Sequence, residues 1–113
     1  MRADERKRID DFIKEYLLLD IRIKIATAKI IHARYNNNVL TLNKQQHILH
    51  QLEQLKLDIE SNIDNKYLEY LKIFKMDTDE ATQALNINKA NLSKLKKEIR
   101  EEFYKIIDMV EAG

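Results

Sequence analysis

Cysteine and proline are absent from this chain, and glycine occurs once, as Gly113. Without cysteine there is no disulfide scaffold, no CxxC redox pair and no cysteine-ligated zinc site. Tight β-hairpins draw on glycine at positive φ, and sandwiches need many turn residues. So little punctuation argues against an all-β fold and removes a Gly-rich nucleotide loop. An excess of one charge sign is missing as well: 20 Lys and Arg face 19 Asp and Glu, a net charge of +1. That balance excludes a polybasic tail and an acidic solvating segment. No run approaches the roughly 18 consecutive apolar residues of a membrane-spanning helix. The opening residues Met1 to Arg8 mix both charges and lead into no apolar targeting region. The expectation is a protein without a membrane span or a secretory signal, placed in the cytoplasm.

What is present is helical. Apolar residues make up 44% and charged residues 35% of the 113 positions, enough for a modest core that a partner or a second copy would help to complete. From about Ala3 to Tyr35, the residues Ile9, Phe12, Tyr16, Leu19, Ile23, Ala26, Ile30 and Ala33 recur at alternating spacings of three and four. This predicts one stripe along a helix roughly 50 Å long. Ile13, Leu17, Ile21, Ala28, Ile31 and Tyr35 form a second stripe beside it. The combined face is wider than a two-stranded coiled coil uses. Asn36, Asn37 and Asn38 stop the helix, because asparagine tolerates αL geometry and competes for backbone hydrogen bonds. A return helix from near Leu42 carries Ile48, Leu52, Leu55, Ile59 and Ile63 inward, which predicts an antiparallel hairpin over 1–62. A kink or boundary is expected around residues 61–65, and Tyr67, Leu68, Leu71 and Phe74 then resume an apolar face up to Met76.

The last third is more specific. Asp77 reads as a helix cap with Glu80 three residues on, as in a capping box. That helix runs to about Leu85, where Asn86-Ile87-Asn88 interrupts it. Asn88 then caps a second helix from Lys89 to about Glu111, with Leu92, Leu95, Ile99, Phe103, Ile106 and Val110 facing inward. This short helix, three-residue turn and longer helix resembles the helix-turn-helix of sigma-factor region four and the related phage transcription regulators of the ArpU type. The residues that carry the resemblance are Glu80, Ala81, Leu85, Ile87, Asn88 and Leu92. Asn86 stands where the family usually has glycine, and Thr82 where a small alanine is common. The resemblance implies a DNA-binding unit over 63–113 in a regulator encoded by a phage or mobile element.

In such a unit the second helix reads the major groove with its N-terminal half. Lys89, Asn91, Ser93 and Lys94 are the candidates for base edges. Lys96, Lys97 and Arg100 are the candidates for phosphates, whose contacts orient a protein without reading sequence. Between Lys89 and Arg100 five cations face one acid, Glu98, whereas the helix before the turn holds Asp77, Asp79 and Glu80. By itself that charge run describes a solvated face, and its position after the turn is what makes it a candidate. The basic start at Arg2, Arg6, Lys7 and Arg8 is interrupted by Asp4 and Glu5 and reads as a solvated helix end, with an arm that touches phosphate as the alternative.

Other constellations carry less. His47, His50 and Glu53 share a helix face at successive i,i+3 positions, but a defined zinc site draws ligands from more than one element, so polar surface is the reading there. No nucleophile–base pair and no cofactor motif stands out. The sequence therefore predicts an all-α protein, not an enzyme, with no metal or other cofactor. It binds double-stranded DNA as a transcription regulator and forms a homodimer or higher oligomer through the hairpin. Two alternatives stay open: a DNA-recognition subunit resembling small terminases, and a helical adaptor or inhibitor that grips a protein partner, which the near-zero net charge favours.

Overall fold

A computed structural model of the chain describes residues 1–112, and these fold into six α-helices and one 3-10 helix, with no strand among the described residues. The protein is all-α. The helices are α1 (Ala3–Leu17), α2 (Leu19–Tyr35), α3 (Val39–Asn62), α4 (Asn65–Leu68), α5 (Thr78–Leu85) and α6 (Lys89–Ala112), and the 3-10 helix spans Leu71–Lys75.

The long N-terminal helix expected from periodicity is two helices, broken at Leu18. There the backbone tightens to ψ −8° and the Leu18 N–H donates to the Glu15 carbonyl at 3.1 Å. Neither proline nor glycine causes this. The two halves have different partners: α1 lies against α6 and the 3-10 helix, and α2 lies along α3. Side chains fasten the break from both sides. Arg22 donates to Glu15 across it, Tyr16 donates to Glu60 at 2.8 Å and Lys56 donates to Asp20 at 2.6 Å. Partial burial and the Glu60 carboxylate push the Tyr16 phenol well above the usual tyrosine range. The Asp20 carboxylate likewise holds Lys56 above the ordinary lysine value.

One hydrophobic cluster draws from both sides of the boundary expected between residues 62 and 63. Ile9, Ile13, Leu19, Ile59 and Ile63 meet Leu71, Ile73, Phe74, Ala81, Leu92, Ile99, Phe103, Ile106, Ile107 and Val110. Phe12 and Phe103 pack edge to face with centroids 6.0 Å apart. Polar latches reinforce the contact of α1 with α6. Arg100 forms a two-pronged pair with Asp10 at 2.7 and 3.0 Å, and Arg8 donates to both Asp108 and Glu111. Those two acids raise the Arg8 guanidinium above its already high range.

Beyond this end, α2 and the first half of α3 extend as a two-helix arm, which gives the molecule dimensions of 55 × 30 × 24 Å. Ala26, Ile30 and Ala33 are buried along the arm, outside the main cluster. The second expected stripe splits: Ile13 is fully buried at the globular end, while Ile21, Ile31 and Tyr35 on the arm are exposed. The segment after α3 is more broken than the apolar spacing predicts. Ile63 is extended, Asp64 caps the single turn of α4, and Leu71, Ile73 and Phe74 enter the core from the 3-10 helix.

Candidate nucleic-acid interface

The candidate surface begins at the cap of α5. The Asp77 carboxylate accepts the Glu80 backbone N–H at 2.8 Å, and this bond holds the Asp77 carboxyl below its usual range. The Glu80 carboxyl, beside Asp77, is pushed above its ordinary value. At the other end, Asn86 is in the left-handed region at φ 54°, ψ 48°. The Ile87 N–H donates back to the Thr82 carbonyl at 3.1 Å and the Asn86 N–H to that of Gln83 at 3.3 Å. This is the Schellman pattern, usually supplied by glycine. Ile87 turns into the cluster, and two residues after the left-handed position Asn88 caps α6 by accepting the Asn91 N–H at 2.8 Å. Buried Ala81 and Leu92, with half-buried Leu85 and Leu95, join α5 to α6. The Thr82 hydroxyl donates to the Asp79 carbonyl at 3.0 Å, so it asks nothing of the helix contact.

The packing leaves one face of the first half of α6 in water. Lys89, Asn91, Ser93, Lys94 and Lys97 are all exposed, and none of the three lysines forms an ion pair among the described residues. The other two candidates are placed differently. Lys96 is half-buried, its ammonium 5.7 Å from the centroid of the Phe74 ring. Arg100 stacks over the same ring at 5.4 Å and spends its fork on Asp10, so its charge is neutralised within the fold. The structure therefore gathers five of the seven residues on one accessible surface and turns Lys96 and Arg100 toward the 3-10 helix and α1.

Arg6, on α1, borders the same surface. It lines a groove of about 830 Å³ between α1 and α6, together with Ser93, Lys96, Lys97 and Tyr104. Its neighbours in sequence are already paired, Arg2 with Glu5 at the groove's edge, Lys7 with Asp11 and Arg8 with the end of α6. Nothing local marks Arg6 out. Only the contact of α1 with α6, between segments some ninety positions apart, brings it here.

His47, His50 and Glu53 are exposed on α3, and no group of three His, Asp or Glu converges on a metal-sized point among the described residues. No described helix is long and apolar enough to cross a membrane. In comparisons with known proteins the chain matches no family model, no curated protein and no solved structure.

Proposed function

We propose that this protein is a sequence-specific DNA-binding transcription regulator whose reading helix is the first half of α6. One observation carries the reading. A short capped helix and a left-handed turn at Asn86 lead into a helix whose first ten residues expose Lys89, Asn91, Ser93, Lys94 and Lys97, with Ala90 and the lone acid Glu98 beside them. Three unpaired ammonium groups within nine positions give a non-specific attraction to phosphate. The short polar side chains of Asn91 and Ser93 sit among them, where hydrogen bonds to base edges are made. The resemblance to sigma-factor region four and ArpU-type regulators supports the same assignment, with a phage or mobile-element origin as its corollary.

The regulator acts as a dimer through the arm. Tyr35 at 86%, Leu40 at 84% and Ile31 at 63% exposure leave apolar surface that a second copy covers. Dimerisation also supplies a second reading helix, because a single short helix gives little specificity.

The test is a charge reversal at Lys89, Lys94 and Lys97 together. These side chains are exposed, so the variant is expected to keep its helical content. Binding is measured on DNA fragments flanking the chain's own coding sequence, at two salt concentrations. The unmodified protein is expected to bind more weakly as salt rises, and the variant to lose affinity by orders of magnitude. Salt-insensitive behaviour, with the triple variant still holding a protein partner, would instead establish the adaptor reading.

A further inference from the structure

The groove between α1 and α6 has a composition that the reading helix alone does not explain. Of the cations lining it, Arg100 is neutralised by Asp10, while Arg6, Lys96 and Lys97 have no carboxylate partner among the described residues. Of its acids, Glu5 is held by Arg2, so Glu101 is the one unpaired carboxylate. Three unpaired cations thus face one unpaired acid. The Ser93 and Tyr104 hydroxyls line the same wall and add neutral donors. The Lys96 stem is fixed by its half-burial beside Phe74, which limits the freedom lost when its ammonium is engaged. Arg6 comes from a different helix, and α1 is bolted to α6 through Arg8 and Asp10. The two walls therefore hold their spacing before any ligand arrives.

We propose that this groove seats backbone phosphates of the DNA strand that flanks the reading helix, with Arg6, Lys96 and Lys97 as the cationic contacts and Ser93 and Tyr104 as donors. Ser93 and Lys97 belong both to the groove and to the exposed face of α6. A polyanion lying on one surface is therefore continuous with the other, which favours a nucleic-acid backbone over an acidic peptide. The inference rests on the DNA reading above and adds α1 to it: the N-terminal helix clamps the backbone while α6 reads the groove.

Arg6→Ala and Lys7→Ala separate this role from mere net charge. The two residues are adjacent, exposed and equally charged, but Lys7 pairs with Asp11 away from the groove. Fluorescence anisotropy on duplexes of several sequences, over a salt series, is expected to show Arg6→Ala weakening all of them by the same factor. The slope of log affinity against log salt should fall by about 1, with Lys7→Ala close to the unmodified protein. Equal losses in the two variants, or none in either, overturn the clamp. Inorganic triphosphate, followed by amide NMR shifts at Ser93 and Tyr104, tests the groove without DNA. Shifts that vanish in Arg6→Ala, in a protein that binds no duplex, keep the phosphate seat and remove the DNA reading. No shift with triphosphate and no Arg6 effect on duplexes remove the seat itself, and tighter binding of an oligoglutamate peptide than of either assigns the groove to a protein partner.

Discussion

Two asparagines do the work for which most chains use glycine. Asn37 at φ 55° and Asn86 at φ 54° are the positive-φ residues of the described chain, and each is followed closely by an asparagine that caps the next helix, Asn38 for α3 and Asn88 for α6. Asparagine enters the left-handed region at a lower cost than other residues bearing a Cβ, and glycine at none. Asn86→Gly is therefore expected to raise stability by a few tenths to about 1 kcal/mol, and Asn86→Val to lower it by about 1–2 kcal/mol, in urea melts. At the cap of α5, Asp77 is held below its unfolded value. Its contribution is thus fully present above the ordinary carboxylate range, near pH 4, and is lost as pH falls through the folded value. Glu80, raised by its neighbour, has the opposite sign: its contribution belongs to the protonated form and fades as pH rises. A carboxyl-resolved NMR titration should find Asp77 below and Glu80 above their ordinary values, and Asp77→Ala should return Glu80 toward normal.

Among the elements, α1 departs most from what its sequence suggests. The stripe from Ile9 to Ala33 was legible because a helix that buries one side repeats its apolar residues every three or four positions. The burial of Ile9, Leu19, Ala26, Ile30 and Ala33 follows it. Periodicity names the face, however, and not the surface that covers it. The stripe continues smoothly through Leu18 even though α1 and α2 serve different neighbours, so the break was invisible. The 3-10 helix was hidden for a related reason: Leu71 and Phe74 are as consistent with an α-helix as with a tighter turn. The caps and the left-handed turn at Asn86 were legible because their chemistry is local. The same locality brought five of the seven proposed contacts to the surface. The pairing of Arg100 with Asp10 was not legible, because the two lie ninety positions apart. Asp10→Asn should cost roughly 1–3 kcal/mol, as expected for a partly buried guanidinium deprived of its carboxylate, read as a lower urea midpoint. Phe103→Ala, which empties the centre of the cluster, should cost about 3–5 kcal/mol.

At the scale of the whole molecule, the proposed function predicts that the globular end and the arm answer to salt in opposite ways. On the proposed function, binding of DNA by α6 is expected to weaken as salt rises, because phosphate contacts release counterions. The arm's outer surface carries Lys24, Lys29 and Arg34, unpaired among the described residues, beside its exposed apolar residues, with Asp20 as the one acid of α2. Bringing two copies together concentrates those cations, and salt relieves the repulsion. Light scattering is therefore expected to show a dimer that tightens with salt, and Ile31→Lys with Tyr35→Lys should leave monomers at every salt concentration.

The latch between α1 and α6 also orders events during synthesis. The arm has both its helices once residue 62 has left the ribosome, but Ile9 and Ile13 must wait for Phe103 and Ile107 before water is excluded from them. Between the completion of the hairpin and the arrival of α6, then, the amphipathic α1 keeps its few apolar side chains in water ahead of a finished pair of helices, and residues 89–110 bring the last of the surface that shelters them.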